Sequence, residues 1–264
     1  MTDEEYAQRL EDVRIRDERD LAPVDVLSGK VDAPNAPIPH WREYNTTSRR
    51  TSLVVSPPDG RLPPRAARAR PLVPQRCGSL QRGEPCDSYE DYGLGVRCIV
   101  HGGGFPDAMF PAVYNANMRI VQSPGFVAIG YELIHDTRII PIDPSPDGTP
   151  LSPAIRMYMG DARGWWDGVT LVVESSNLKA NTRTSTPGLR LTERFTRTGR
   201  DAIQYEVAFV DPETWTAPWT AALDLKARPD GSGVFEYACH EGNYGMSNRL
   251  SASRFLERTT GGGR

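Results

Sequence analysis

From Arg119 onward the chain is a series of short β-branched and aromatic runs separated by turn residues, and this spacing constrains the fold more than any other feature. The runs predicted as strands are residues 119–122, 126–134, 136–142, 168–175, 190–197, 202–210, 219–227 and 233–241. Turn residues lie between several of them, as at 123–125 and 198–201. Closely spaced strands without intervening helices indicate an antiparallel meander, because parallel strands need long crossovers. We therefore predict a mainly β domain that closes into a lipocalin-like (calycin-type) barrel around one small ligand.

The first 95 residues are predicted to be appendages of this barrel. Tyr6, Leu10 and Val13 lie at helical spacing within residues 3–19 and indicate an amphipathic helix that docks on the main domain or on a second copy of the chain. Prolines recur from residue 21 to about residue 74, so this segment is predicted to wrap the surface as an extended arm, with a short strand at 51–55. We expect helix and arm over residues 1–95, and the barrel with a C-terminal helix at 246–257 over residues 96–264.

The charge balance limits the classes of partner. The chain has 31 basic and 34 acidic residues and a formal net charge of -3, which gives no electrostatic reason to expect nucleic acid or an anionic membrane. The sequence shows no basic N-terminal region followed by an apolar stretch, and no apolar run long enough to cross a bilayer. We therefore expect a cytoplasmic protein with a small-molecule ligand.

The cysteines give no metal-binding pattern, because Cys77, Cys86, Cys98 and Cys239 include no CxxC pair. Cys77 and Cys86 flank a loop rich in glycine, proline and serine, where a disulfide would form easily in an oxidising compartment. In the cytoplasm we expect both to stay reduced.

No cofactor is expected either. His101, His135 and His240 could bind zinc or iron together with Cys239 or Glu241, and metal-dependent chemistry is a third interpretation, but HxH and HExxH spacings are absent. Nucleotide-binding glycine motifs are also absent. Residues 101–104 match the oxyanion tetrapeptide of lipases, but no Gly-x-Ser-x-Gly elbow accompanies them, and they are predicted to form a flexible loop.

Side chains alternate between the two faces of a strand, so each predicted strand has an inner and an outer set. In residues 126–138 the more apolar set includes Tyr131 and ends at His135, and these two are predicted to point inward together. The other set includes Glu132 and Arg138. The apolar faces of residues 190–197 and 202–210 carry Glu193 and Tyr205.

The predicted strand 233–241 is ambiguous. Its more apolar face would bring Cys239 and Glu241 inside, and the other face would bring His240 inside. Adjacent residues point to opposite faces, so at most one of His240 and Glu241 should line the cavity unless the strand is bulged.

Ionisable groups in an apolar cavity favour acid/base chemistry, because burial moves the pKa of a glutamate up and that of a histidine down. The predicted catalytic residues are His135, Tyr131, His240, Glu241 and Glu193. The predicted substrate contacts are Tyr114, Asn115, Asn117, Arg138, Arg163, Trp165, Tyr205, Asn243 and Tyr244. Arg138 or Arg163 could hold a substrate carboxylate through paired hydrogen bonds.

Structural roles are the alternative for the same side chains. Tyr131 and His135 could be hydrogen-bonded core residues, and Glu193 could pair with Arg163 or Arg194. Trp166 is predicted to fill the core of a hairpin.

Several runs resemble a large family of bacterial proteins that are generally labelled hypothetical. The resemblance covers roughly residues 50 to 257 and rests on residues 97–99, 114–115, 120–122, 132–138, 170–173, 193–195, 211–212, 218–220 and 236–244. The last of these runs, EYACHEGNY, is the most specific. Many members begin with a secretion signal, which this sequence does not show, and the resemblance implies no particular activity. The chain departs from the family pattern at Trp165, at Val169 and in a glycine-rich insertion at 102–104, which implies a specialised ligand.

The leading hypothesis is a cofactor-independent acid/base enzyme, either a lyase such as a decarboxylase or dehydratase, or an isomerase or cyclase. Its substrate would be a hydrophobic, aromatic or polyketide-like molecule bound inside the barrel. The alternative is a non-catalytic carrier or sensor for the same class of ligand.

Overall fold

The computed structural model describes residues 1–20, 49–69, 87–100, 109–111, 114–143, 151–179, 186–228, 231 and 233–260. Cys77, Cys86, the glycine-rich residues 101–104 and most of the predicted proline-rich arm lie outside the described residues.

The described chain contains two α-helices, α1 at Asp3–Asp20 and α2 at Tyr244–Thr260. Its strands are β1 Val54–Ser56, β2 Met118–Ser123, β3 Phe126–Tyr131, β4 Thr137–Pro141, β5 Asp161–Asp167, β6 Thr170–Ser176, β7 Arg190–Gly199, β8 Ala202–Val210 and β9 Trp219–Lys226. The mainly β class and both terminal helices are thus confirmed. No helix in the described ranges has the length and apolar character needed to span a bilayer.

The strands form two antiparallel sheets, one of six strands in the order β1-β9-β8-β7-β6-β5 and one of three in the order β2-β3-β4. Chain neighbours are mostly sheet neighbours, as expected for a meander. Within the described ranges the ladders do not close into a ring. The sheets meet where Ile142, just after β4, forms a parallel bridge with Gly164 of β5. A Cβ at Gly164 would lie 2.9 Å from Cδ1 of Ile142 and 3.1 Å from Cγ2 of Ile140, so side chains of β4 and of the residue after it pack directly on the backbone of β5.

The hydrophobic core lies between the facing sides of the two sheets. The three-stranded sheet contributes Val127, Ile129 and Ile140, and the six-stranded sheet contributes residues that include Leu191 and Val207. Strict alternation along β7 and β8 produces the inner face of the larger sheet. The predicted inward positions of Glu193 and Tyr205 are confirmed, since both side chains are buried.

The predicted continuous alternation through residues 126–138 is wrong. Strand β3 stops at Tyr131, and a tight 3-10 turn at Leu133–His135 reverses the chain into β4. Ile134 and His135 adopt left-handed backbone conformations, with φ of 62° and 49°. Tyr131 is therefore buried, whereas His135 lies exposed in the turn, and the two do not point inward together.

Two further predictions are corrected. Residues 233–241 pair with no strand in the described chain and run as irregular structure. Strand β5 was missed, because Asp161–Asp167 reads as a turn-rich loop around two tryptophans. Trp166 was expected in the core but is 46% exposed, since it lies on the outer face of an edge strand.

Candidate functional site

The residues from 233 to 243 form a strap across the outer face of the three-stranded sheet. Val127, Ile129 and Tyr131 point into the core, so Ala128 and Gly130 point to the opposite side of β3. On that side Val121 is paired with Ala128, and Arg119 with Gly130. The strap and this outer face enclose a groove of about 550 Å³. The candidate site therefore lies outside the core and not between the two sheets.

Four of the five predicted catalytic residues border this groove, although the side chain of Tyr131 points into the core. Its walls are formed by Arg119, Val121, Ala128, Gly130, Tyr131, Glu132, His135, Thr137, Val234, Phe235, Glu236, Tyr237, Ala238, His240 and Glu241. Contrary to the strand-based expectation, His240 and Glu241 both line it. The strap forms no ladder, so neighbouring side chains are not forced to opposite faces.

The two histidines approach each other at this groove. The ring centroids of His135 and His240 are 6.2 Å apart, and the ring planes are inclined by 55°. Nδ1 of His135 lies 3.1 Å from the carbonyl oxygen of Tyr237. A carbonyl can only accept a hydrogen bond, so Nδ1 carries the proton and Nε2 of a neutral ring keeps its lone pair. The left-handed residues Ile134 and His135 place backbone strain beside the same groove.

Glu132 joins the chain segments that surround the groove. Alternation along the strand had placed its side chain on the outer face and did not predict this role. Its side chain is buried, Oε1 accepts a hydrogen bond from Nδ2 of Asn115 at 2.7 Å, and Oε2 accepts one from the backbone N–H of Phe235 at 3.2 Å. Its own N–H donates to the carbonyl oxygen of Asn117. Glu132 thus connects the segment before β2, the turn at Leu133–His135 and the strap. Asn115 and Asn117 act here as structural partners.

The C-terminal part of the strap is fixed by a disulfide that the sequence analysis missed. Cys98 and Cys239 are joined across 141 residues, with their Cα atoms 5.8 Å apart. Nδ2 of Asn243 also donates to the carbonyl oxygen of Val96 at 3.4 Å. Neither cysteine belongs to a spacing motif, so no local pattern could have indicated the pair.

A second cavity of about 490 Å³ lies on the other side of the strap, lined by residues that include Val96, Asn115 and Asn243. Beside it, burial and a hydrogen bond with Tyr114 raise the pKa of Tyr237. The predicted contacts Tyr114, Asn115 and Asn243 thus lie near the strap, on the side away from the histidines. Tyr244 begins α2 and is largely exposed.

The remaining predicted catalytic residue, Glu193, lies in a buried network between the sheets. Arg138 donates two hydrogen bonds to its carboxylate, Nη1 to Oε1 at 3.0 Å and Nη2 to Oε2 at 2.7 Å. The hydroxyl of Tyr205 donates to Oε1 at 2.9 Å, and Nη2 of Arg138 donates to Oγ of Ser175 at 3.1 Å. Tyr131 joins the network through a contact of 3.5 Å between its hydroxyl and Nη1 of Arg138. Glu193, Arg138 and Tyr205 therefore act in the core and line neither cavity.

The ion-pair partners proposed for Glu193 are also corrected. Arg163 faces Asp143 at 3.5 Å, and Arg194 pairs with Asp167 at 2.8 Å. Arg163 and Trp165 both lie on β5 and line neither of these two cavities.

Tyr131 gives an expected pH dependence of stability. Burial raises the pKa of its hydroxyl from 10.0 to about 12, with opposing contributions from the charges of Arg138 and Glu193. A group whose pKa is raised by folding stabilises the native state at pH values below its pKa in the unfolded chain. This contribution is lost as the pH rises through its pKa in the folded protein. Between pH 10 and 12 the unfolded chain loses a proton that the folded chain keeps, so the free energy of unfolding should fall.

The test is urea unfolding of the wild type and Tyr131→Phe at intervals from pH 7 to 12. We expect the variant to have a shallower slope above pH 10, by up to about 1.4 kcal/mol per pH unit, the limit for one proton. Below pH 9 the two slopes should agree, which serves as the internal control. Parallel curves up to pH 12 would contradict the assignment.

Among the described residues, no group of three or more His, Cys, Asp or Glu side chains is arranged to hold a metal ion. Comparisons with protein-family models, with curated proteins and with solved structures find no match to this chain. The resemblance of the EYACHEGNY run to uncharacterised bacterial proteins stays a prediction.

Proposed function

We propose that the groove beneath the strap is the active site of a cofactor-independent acid/base enzyme, a lyase, isomerase or cyclase that acts on a small, largely hydrophobic molecule. The observation that carries this proposal is the convergence of His135 and His240 on one groove, with ring centroids 6.2 Å apart. Imidazole is the side chain best suited to take up and release protons near neutral pH.

The hydrogen bond of His135 supports a division of roles between the rings. With its Nδ1–H donated to Tyr237, neutral His135 presents Nε2 as the base that removes a proton from the bound molecule. Protonated His240 supplies a proton to the leaving group or to another atom of the same molecule. The proton gained by His135 returns to solvent, and His240 takes one up, so the pair is restored after each turnover.

The apolar floor of the groove is evidence for a hydrophobic substrate, aromatic or polyketide-like in character. Val121 and Ala128 form an apolar surface beside the histidines. An apolar surface with few polar groups at one end is the usual character of a small-molecule site.

A non-catalytic carrier or sensor is the second candidate, and one observation favours it. Tyr131, Glu193 and Arg138 are engaged in the buried network, so fewer acid/base groups face the groove than the sequence indicated. A carrier would keep its affinity for an apolar ligand when both histidines are replaced.

Ring opening of 5-nitrobenzisoxazole tests the acid/base function, because removal of one carbon-bound proton breaks the N–O bond and releases a coloured phenolate. We expect the wild type to accelerate this reaction, and His135→Gln and His240→Gln to lose about a hundredfold of the acceleration. Asp224→Asn, an exposed change on β9, is the matched control and should retain the full rate. Equal rates for the wild type and both histidine variants would reject the catalytic proposal, and binding without acceleration would favour the carrier.

We also propose that the two sheets form a lipocalin-like, barrel-shaped shell. The shared core and the bridge between Ile142 and Gly164 support this arrangement, since they join one pair of sheet edges.

We further propose that the protein works in an oxidising compartment and not in the cytoplasm. The disulfide between Cys98 and Cys239 supports this, because such bonds persist where thiols are not kept reduced.

A further inference from the structure

Among the described residues that line the groove, Arg119 is the one lysine or arginine. It lies on β2 opposite Gly130 of β3, and its Nη2 atom is so close to the strap that a Cβ at Gly233 would lie only 3.2 Å from it. Gly130 therefore places no side chain opposite Arg119, and the strap passes close to the guanidinium at Gly233. Arg119 is exposed, and within the described part of the chain its side chain forms no hydrogen bond or ion pair.

The acidic residues of the groove that the structure describes do not neutralise this guanidinium by contact. Both carboxylate oxygens of Glu132 accept hydrogen bonds, from Asn115 and from the backbone of Phe235. Glu236 and Glu241 are exposed on the strap, where water screens their charges. The planar, paired N–H groups of Arg119 are thus available to a ligand oxyanion.

The register of the sheet places this cation beside the histidines. Arg119 pairs with Gly130, and the turn at Leu133–His135 begins three residues after Gly130 in the chain. In the other direction, the pair Val121 and Ala128 lies two residues away, a distance of about 7 Å along a strand. One end of the groove therefore combines the guanidinium of Arg119 with two imidazoles. The apolar floor of Val121 and Ala128 lies next to this end, at a distance similar to the width of an aromatic ring.

We propose that the groove selects an organic carboxylate, with Arg119 binding the carboxylate and the apolar body lying on Val121 and Ala128. The inference rests on the proposed function and narrows its substrate class. The reacting carbon would lie within a few bonds of the carboxylate, because His135 is near the same end. Arg119 takes the role that the sequence analysis gave to Arg138 or Arg163.

Calorimetric titration with three naphthalene probes of matched shape tests the proposal: 2-naphthoate, neutral 2-naphthamide and cationic 2-naphthylmethylamine. We expect the wild type to bind naphthoate at least tenfold more tightly than the amide, and added salt to weaken naphthoate binding. Arg119→Gln should abolish this preference, and Arg119→Lys should retain part of it. Arg197→Gln removes an exposed arginine of β7 and should leave the preference intact.

Equal affinities for naphthoate and the amide, tighter binding of the amine, no binding of any probe, or an unchanged preference in Arg119→Gln would each overturn the proposal. The acid/base function is tested separately, because 5-nitrobenzisoxazole is neutral and carries no carboxylate. Selective naphthoate binding without ring opening by the wild type would uphold the anion site and reject the acid/base function.

Discussion

Replacing Arg138 with methionine is expected to lower the free energy of unfolding by about 3 to 5 kcal/mol, because it leaves the carboxylate of Glu193 buried without its cation. The side chains of Arg138 and Glu193 are only 1% and 0% exposed, so water cannot replace the lost partner. Ser175 and Tyr131 lose a donor in the same change. Urea unfolding followed by tryptophan fluorescence measures the effect.

The double variant Arg138→Met with Glu193→Leu tests the cause. Removing both charges eliminates the unpaired carboxylate, so we expect the double variant to be more stable than Arg138→Met alone. Arg194→Met is the matched control, since Arg194 pairs with Asp167 on the surface and should contribute less than about 1 kcal/mol. A loss of under about 1 kcal/mol in Arg138→Met would show that the pair is not buried as described.

Replacing Cys98 and Cys239 with serine is expected to lower the free energy of unfolding by up to about 5 kcal/mol, the loop-closure value for a bond spanning 141 residues. The bond restricts the unfolded chain, and in the folded protein it holds the strap to the segment that packs on α2 through Tyr92, Val96 and Met246. Without it the strap retains its hydrogen bonds to Glu132 and His135. We therefore expect faster amide hydrogen exchange in residues 233–243 of the variant than in the wild type.

A reducing agent provides the control. Reduction should lower the stability of the wild type toward that of the variant, and it should change the stability of the variant much less. Cys77 and Cys86 are present in both proteins, so any effect of reduction on them is common to both. Non-reducing peptide mapping that finds Cys98 or Cys239 as free thiols in oxidised protein would contradict the pairing.

Strands bounded by turn residues could be predicted from the sequence because their signal is local. The inner faces of β7 and β8 follow from alternation, which placed Glu193 and Tyr205 in the core before any partner was known. Alternation failed at residues 132–136, where a turn with two left-handed residues interrupts the strand pattern. The turn moved His135 to the surface, and Arg138, three residues after His135, points into the core.

The β-rich class, the two helices and the inner faces of β7 and β8 follow from the sequence, since hydrophobic period and turn chemistry act over a few neighbours. Three features depend on long-range contacts in the folded chain: Arg138 pairs with Glu193, Cys98 bonds to Cys239, and the strap covers the outer face of a sheet. These contacts join residues 55 to 141 positions apart, and no local pattern specifies which distant groups will be neutralised, bonded or covered together.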